Sequence, residues 1–328
     1  MNKLQQKLLD LKISGKLHFL FILPVVIILT FVIVFSVIGA KHDAATGFGL
    51  GIDFTGGTEM TVMVADNAEN EKIVREVLRN HGITNIDYLQ GVTTGGQNGI
   101  RAQYKNTLDN AEEMKDLNDA VKLDLEGRFG VKVDYTNRSK TASQDLIKKT
   151  FLSVGIALLL ILVYIIIRFE WLSGVSAIIG LIHDVLIMVC LTVICRIPVN
   201  SSFIAAVITI VAYSINNTIV VFDRIREVKK GFDKKSVDYN FVADEAVAKT
   251  LNRTLFTTIT TMIMVIMLTA LGVVTMRYFT LPILFGLVAG FYSSTFLVAP
   301  IWASMQNGLI RTRAKKYAKY KQQAKIQK

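Results

Sequence analysis

A chain of 328 residues that is 52% hydrophobic and only 19% charged is too apolar for an ordinary soluble domain, which runs near a quarter charged. Its net charge of +11 is split: residues 40–142 hold 12 Lys and Arg against 16 Asp and Glu, while the basic excess gathers at the ends of apolar runs. That placement speaks for lipid headgroups and against nucleic acid. Only two cysteines occur, Cys190 and Cys195 in one apolar run, which leaves no disulfide framework and no metal signature.

Residues 1–16 are polar and basic (Lys3, Lys7, Lys12, Lys16). Leu17–Gly39 is the first of six apolar runs of about 20 residues, the length that crosses a bilayer as a helix. Backbone groups in lipid must bond within their own segment, so each run is expected to be helical. The first exceeds the apolar core of a signal peptide, and Ile38-Gly39-Ala40 is a poor cleavage site, which predicts an uncleaved anchor. Gly51-Ile-Asp-Phe-Thr-Gly-Gly-Thr58 follows. Its glycines (Gly51, Gly56, Gly57) permit positive φ, and the segment reads either as a turn with Asp53 as a local cap or as a moving hinge.

Residues 40–142 are long enough to bury a core of their own. Thr58–Ala65 is rich in β-branched residues and reads as a strand. Asn70–Asn80 places Ile73, Val74, Val77 and Leu78 on one helical face, with Gly82 as the stop. Ile86–Gln90 and Gly99–Lys105 read as short strands around a Gly-rich loop. Asp109–Phe129 reads as a helix capped by Asp109, and Val131–Tyr135 as a last strand. The order β-α-β-β-α-β is that of a ferredoxin-like α+β domain. With His42 and His81 as its only histidines and no nucleophile–base spacing, the domain reads as a docking module.

The region 143–303 holds the other five runs: Ile147–Ile167, Leu172–Cys195, Ser201–Phe222, Leu255–Val274 and Leu281–Ala303. A loop, 224–252, separates the fourth and fifth; Asp244–Thr250 within it is expected to form a short surface helix. Residues 304–328 are a basic tail. Lys and Arg gather on the side of the termini and of the 224–252 loop, so both termini are expected in the cytoplasm and the 40–142 domain outside.

Polar residues inside apolar helices are costly and mark function. His183-Asp184 lies halfway along the third run. Thr209, Tyr213, Asn216 and Asn217 share a face of the fourth, followed by Asp223, Arg224 and Arg226 at its end. Arg253, Thr257, Thr260 and Thr261 share a face of the fifth. His183, Asp184, Tyr213, Asn216, Asn217, Arg253 and Thr257 are therefore the candidate ion-coupling seam. Small residues, among them Gly180, Gly286, Gly290 and Ser293, permit close helix packing. No Walker motif or intramembrane-protease pattern occurs.

The Gly51–Thr58 segment, His183-Asp184-Val, the run Tyr213–Glu227 and Asn252-Arg-Thr-Leu255, in this order, resemble the SecF family of protein-export membrane proteins. The resemblance covers nearly the whole chain. It implies half of a six-plus-six-helix bundle of the RND transporter superfamily, completed by a SecD-like subunit. It also implies a non-enzymatic role beside the SecYEG channel and a YajC-like protein, acting on unfolded exported polypeptides and driven by a proton or sodium gradient, with no cofactor. The expected location is the bacterial cytoplasmic membrane. The family commonly carries Asp where this chain has Asn217, and Asn releases no proton. The partner, Asp184 or Asp223 would then supply the carboxylate, or sodium would replace the proton. The competing readings are an RND-type half-transporter for lipid or small molecules and a non-transporting scaffold for the translocon.

Overall fold

The computed structural model describes residues 3–39, 50–84, 86–94, 97–106, 108, 110–168, 170–195, 197–232, 237–272 and 274–326. His42, Asp109 and Arg196 lie outside them. Six helical stretches are long and apolar enough to cross a membrane, Ile13–Ser36, Lys140–Ile165, Trp171–Ile194, Ser201–Lys229, Tyr239–Leu271 and Met276–Thr312, matching the six apolar runs.

The chain opens with helix α1 (Lys3–Asp10), a 3-10 turn (Ile13–Lys16), a helical turn α2 (Leu17–Leu20) and the first spanning helix α3 (Ile22–Gly39). Ile13 is buried, and Ser14 fastens this entry to the first turns of the fifth span. Its N–H and Oγ donate to one oxygen of Asp244 at 2.9 and 2.8 Å. After α3 come the short helix α4 (Ile52–Thr55), strand β1 (Gly57–Val62), α5 (Ala68–Asn80), β2 (Ile86–Thr94), β3 (Gln97–Tyr104), α6 (Ala111–Phe129) and β4 (Val133–Arg138).

The sheet order is β2-β3-β1-β4, all antiparallel, which is the ferredoxin-like arrangement. Two expectations need correcting. The hairpin strands β2 and β3 extend into the stretch assigned to a loop, because cross-strand pairing continues to Thr94 and Gln97. The second helix is capped by Asn110, whose side chain accepts the Glu112 N–H at 3.1 Å. Asn67 caps α5 in the same manner, on the Asn70 N–H at 2.8 Å.

Alternation along the strands decides what each sheet face does. One face, with Met60, Val62, Ile100, Ala102 and Tyr104, packs on Val74, Val77, Leu78, Val121 and Leu125 of the two helices. Inside this core Tyr104 Oη donates to Asn118 Oδ1 at 2.7 Å, and Asn118 Nδ2 to Thr58 Oγ1 at 3.2 Å. Tyr104→Phe leaves the Asn118 oxygen buried without its donor, so the domain should lose about 1–3 kcal/mol. Thermal unfolding of the variant, followed by protease susceptibility of the domain, measures this.

The other sheet face is polar: Asp134 and Thr136 are exposed on it, whereas Arg101 and Gln103 are buried. Arg101 is 6% exposed and lies 4.7 Å over the ring of Tyr278. It pairs with Glu59 at 3.3 Å. Burial raises the Glu59 carboxyl above its usual range, and the Arg101 charge pulls it part of the way back.

The remaining spans are α7 (Lys140–Arg168), α8 (Trp171–Ile194), α9 (Ser201–Lys229), α10 (Tyr239–Leu271) and α11 (Val274–Tyr292), with a π-helical turn (Ser293–Leu297) leading into α12 (Val298–Ile326). Helix α9 is the centre of the bundle and packs against α8, α10 and α11. Helices α3 and α7 lie at its margin, with Leu23, Leu29, Ile33, Phe151, Leu159 and Leu160 exposed as lipid-facing side chains would be. The Asp244–Thr250 stretch is not a separate surface helix. It forms early turns of α10, whose 33 residues are about 50 Å long and outreach the hydrocarbon. Of the two cysteines, Cys190 is buried and packs, whereas Cys195 is exposed at the end of α8.

Candidate functional site

Asp184 sits halfway along α8 with no exposed surface. A carboxylate there must be paired or hydrogen-bonded to persist. It is met by three donors. Ser214 Oγ of α9 donates to Oδ2 through a short contact, and Ser293 Oγ donates to the same oxygen at 2.9 Å. His183 Nδ1 lies 2.9 Å from Oδ1. The donors come from α8 itself, α9 and the π-helical turn, so one side chain ties three elements of the bundle together. Hydrogen bonds to a charged acceptor are about twice as strong as neutral ones.

Small residues make this convergence possible. A Cβ on Gly290 would stand 3.3 Å from Ser214 Cβ and 3.7 Å from Asp184 Oδ2, and one on Gly286 would enter the side chain of Ile210. The α11 backbone therefore approaches α8 and α9 closely enough for short hydroxyl side chains to reach the carboxylate. The π turn begins at Ser293. Such turns insert an extra residue into the helical ladder and recur at functional sites.

The predicted seam residues fall into two groups. Facing inward are Asp184, His183, Tyr213 and Asn217. Tyr213 Oη donates to Thr258 Oγ1 at 2.9 Å and bridges α9 to α10. Asn217 is 4% exposed, one turn beyond Ser214, and its Nδ2 has no partner among the described residues. His183 Nε2 is likewise buried without a partner. Facing outward are Thr209 and Asn216 of α9 and Arg253 and Thr257 of α10, all exposed. Thr257 Oγ1 turns back to the Arg253 carbonyl at 2.8 Å. Asp184 is thus buried within the bundle, whereas Arg253 is exposed on α10.

At the far end of α9 the charges pair on the surface. Asp223 accepts from Arg168 at 3.2 Å, Arg224 pairs with Glu227, and Arg226 is exposed. On the domain side, Gly51 donates its N–H to Val199 O at 2.7 Å, and Gly56 and Gly57 take φ of +71° and +135°. Asp53 does not cap its own segment: it binds Ser201, at the start of α9, and Arg138. Ser214, Thr258, Ser201 and Arg138 were not singled out by sequence reasoning. Only their position in or beside quoted motifs marked the first two.

A family model for the C-terminal part of the protein-export membrane proteins SecD and SecF matches residues 130–308, and one for the SecD/SecF GG motif matches residues 44–68. The protein translocase subunit SecF of Rickettsia akari is 33% identical over 284 residues, 85% of this chain and 89% of that one. The chain belongs to the SecD/SecF family of protein-export membrane proteins. SecF of Helicobacter pylori is 34% identical over 78% of this chain and 77% of its own. The crystal structure of the translocon-associated membrane protein SecDF from Thermus thermophilus superposes with a TM-score of 0.72 at 27% identity. It covers 90% of this chain, which spans 38% of that longer one. The fold is therefore that of a multi-pass SecF-type protein with an RND-type half bundle. The GG motif is the Gly56-Gly57 turn that opens β1, with Gly56 against Lys140 at the start of α7, and the matched C-terminal region holds Asp184 and both rows of polar residues.

Proposed function

We propose that this chain is the SecF subunit of a bacterial Sec protein translocase, pairs with a SecD-like subunit, and couples a proton or sodium gradient to export. The observation that carries this reading is Asp184, a fully buried carboxylate held by donors from three elements of a membrane bundle. A proton arriving there turns an acceptor oxygen into a donor. One hydroxyl must then rotate or let go, and α9 and the π turn are released from a shared anchor. A sodium ion would act similarly by competing for the same oxygens. Asn217 adds an amide that binds a cation but carries no proton.

The outward row Thr209, Asn216, Arg253 and Thr257 supports a second bundle alongside. Polar groups facing hydrocarbon are expensive, and an arginine there needs a partner charge. A carboxylate of a SecD-like subunit is the natural complement to the Arg253 guanidinium. The ferredoxin-like domain then lies on the extracytoplasmic side of the membrane, where it meets polypeptide leaving SecYEG, with YajC-like proteins as accessory contacts, and both termini lie in the cytoplasm. No covalent chemistry is assigned to the chain.

Purification from native membranes tests the partnership. The chain should co-elute with a SecD-like subunit, and a stable, fully active monomer would overturn the reading. In a variant without Cys190 and Cys195, a cysteine at Glu112 should react with an impermeant thiol reagent on intact cells. One at Lys230 should not. The reverse pattern would invert the orientation.

A further inference from the structure

The carboxylate of Asp53 is divided between the membrane and the soluble domain. Its Oδ2 accepts the Ser201 N–H at 3.1 Å and Ser201 Oγ at 2.6 Å, 148 residues away, at the first residue of α9. Its Oδ1 lies 3.3 Å from Nε of Arg138, the last residue of β4. The anion faces the unpaired N–H groups of a 29-residue helix, where negative charge is favoured. Helix α9 has its own cap as well: Asn200 Oδ1 accepts the Phe203 N–H at 3.1 Å. Asp53 is therefore not needed as the only cap, and its second oxygen is spent on the sheet.

The surrounding contacts make the junction two-sided. Gly51 N–H donates to Val199 O, and Leu50 pairs with Val199 as an isolated bridge. A Cβ on Gly51 would stand 3.1 Å from Asn200 Cβ. On the domain side, Gln103 Nε2 of β3 reaches Leu50 O at 3.4 Å, and Ser143 Oγ of α7 donates to Ile52 O at 3.1 Å. The segment 50–53 thus sits between the sheet and the start of α9. Ser214, which holds Asp184, lies on the same helix, roughly 20 Å along its axis from Ser201. A helix transmits displacement over that length because its backbone is bonded throughout.

We infer that Asp53 is the positioning residue that locks the domain to α9, so that the soluble domain follows the helix that reads the buried carboxylate. The transmission half of this inference rests on the proposed ion coupling; the lock itself does not. Aspartate suits the role because one short side chain presents two acceptors in opposite directions, one for a helix start and one for a guanidinium.

The test uses the full chain with its SecD-like partner in lipid nanodiscs and proteoliposomes, lacking Cys190 and Cys195, with spin labels at Glu112 and Lys230. The wild-type distance distribution should be narrow. Asp53→Ala should broaden it while the domain keeps its protease resistance. A disulfide between Asp53→Cys and Ser201→Cys should narrow it again when oxidised and not when reduced. Under an imposed gradient, the wild-type and oxidised double-cysteine proteins should shift in distance, and Asp53→Ala should lose the shift. An unchanged distribution in Asp53→Ala, or no rescue by the disulfide, overturns the lock. A gradient shift that survives in Asp53→Ala overturns the transmission. If wild type shows a narrow distribution but no shift, the ion-coupling proposal fails while the lock stands on the static measurement.

Discussion

Asp184→Asn should abolish the gradient-dependent part of export while leaving the protein folded and assembled. Asparagine has nearly the same volume and keeps one oxygen for Ser214 or Ser293. Its Nδ2 replaces the second acceptor by a donor, which the neighbouring hydroxyls meet by rotating into accepting positions. The stability cost is set by whichever donor stays unsatisfied, about 1–3 kcal/mol. The charge is lost altogether, and with it any response to a proton at this position. The measurement is export of a secreted protein into inverted membrane vesicles, with and without an imposed gradient. Export without a gradient should be unchanged, and stimulation by the gradient should vanish. Stimulation at the wild-type level would make the Asp184 cluster a packing feature and remove the main support for ion coupling by this chain.

Gly57→Ala should be among the most damaging single-methyl changes in the molecule. Residue 57 begins β1 at φ +135°, and a Cβ there would stand 2.6 Å from the Tyr104 carbonyl oxygen. That oxygen belongs to the backbone of the adjacent strand β3, so no rotamer change relieves the clash. Backbone strain of about 1–3 kcal/mol adds to an overpacking cost of about 1–3 kcal/mol. A small domain has a total stability on the order of 5–15 kcal/mol. Limited proteolysis should therefore cut the domain of the variant under conditions in which the wild type resists. Gly82→Ala is the control: φ is +79° there too, but no atom lies within 4 Å of the added methyl. It should cost only the backbone term. Equal damage at both positions would show that φ alone matters and that the close approach to β3 does not.

The six spans were legible because run length is a property of the chain itself: about 20 apolar residues cross the hydrocarbon whatever they pack against. The ferredoxin-like order was legible for a similar reason, since strand and helix periodicities are local. Boundaries that depend on neighbours were not. The β2–β3 hairpin extended past its expected loop because pairing, not composition, ends a strand. The 244–250 segment joined α10 because it docks on the chain's own N-terminal turn through Ser14 and Asp244. His183, Asp184, Tyr213, Asn217, Arg253 and Thr257 stood out as polar residues in apolar helices, since a polar residue inside an apolar run is visible in one dimension.

What each of them meets was decided only in three dimensions. Ser214 and Ser293 are ordinary residues for a membrane helix. They matter because Gly290 brings α11 within reach of α9 and α8 and a π turn begins at Ser293. Arg253 and Asp184 were expected along one seam; Asp184 is buried inside the bundle, while Arg253 is exposed on α10. The Asp53 segment read either as a turn with a local cap or as a hinge, and the partners of Asp53 proved to be Ser201 and Arg138, 148 and 85 positions along the chain. Which residues are apolar, charged or free to turn was written in the sequence by itself. Which of them share a hydrogen bond depended on helix rotation and close approach, because such bonds join groups whose separation along the chain carries no periodic signal.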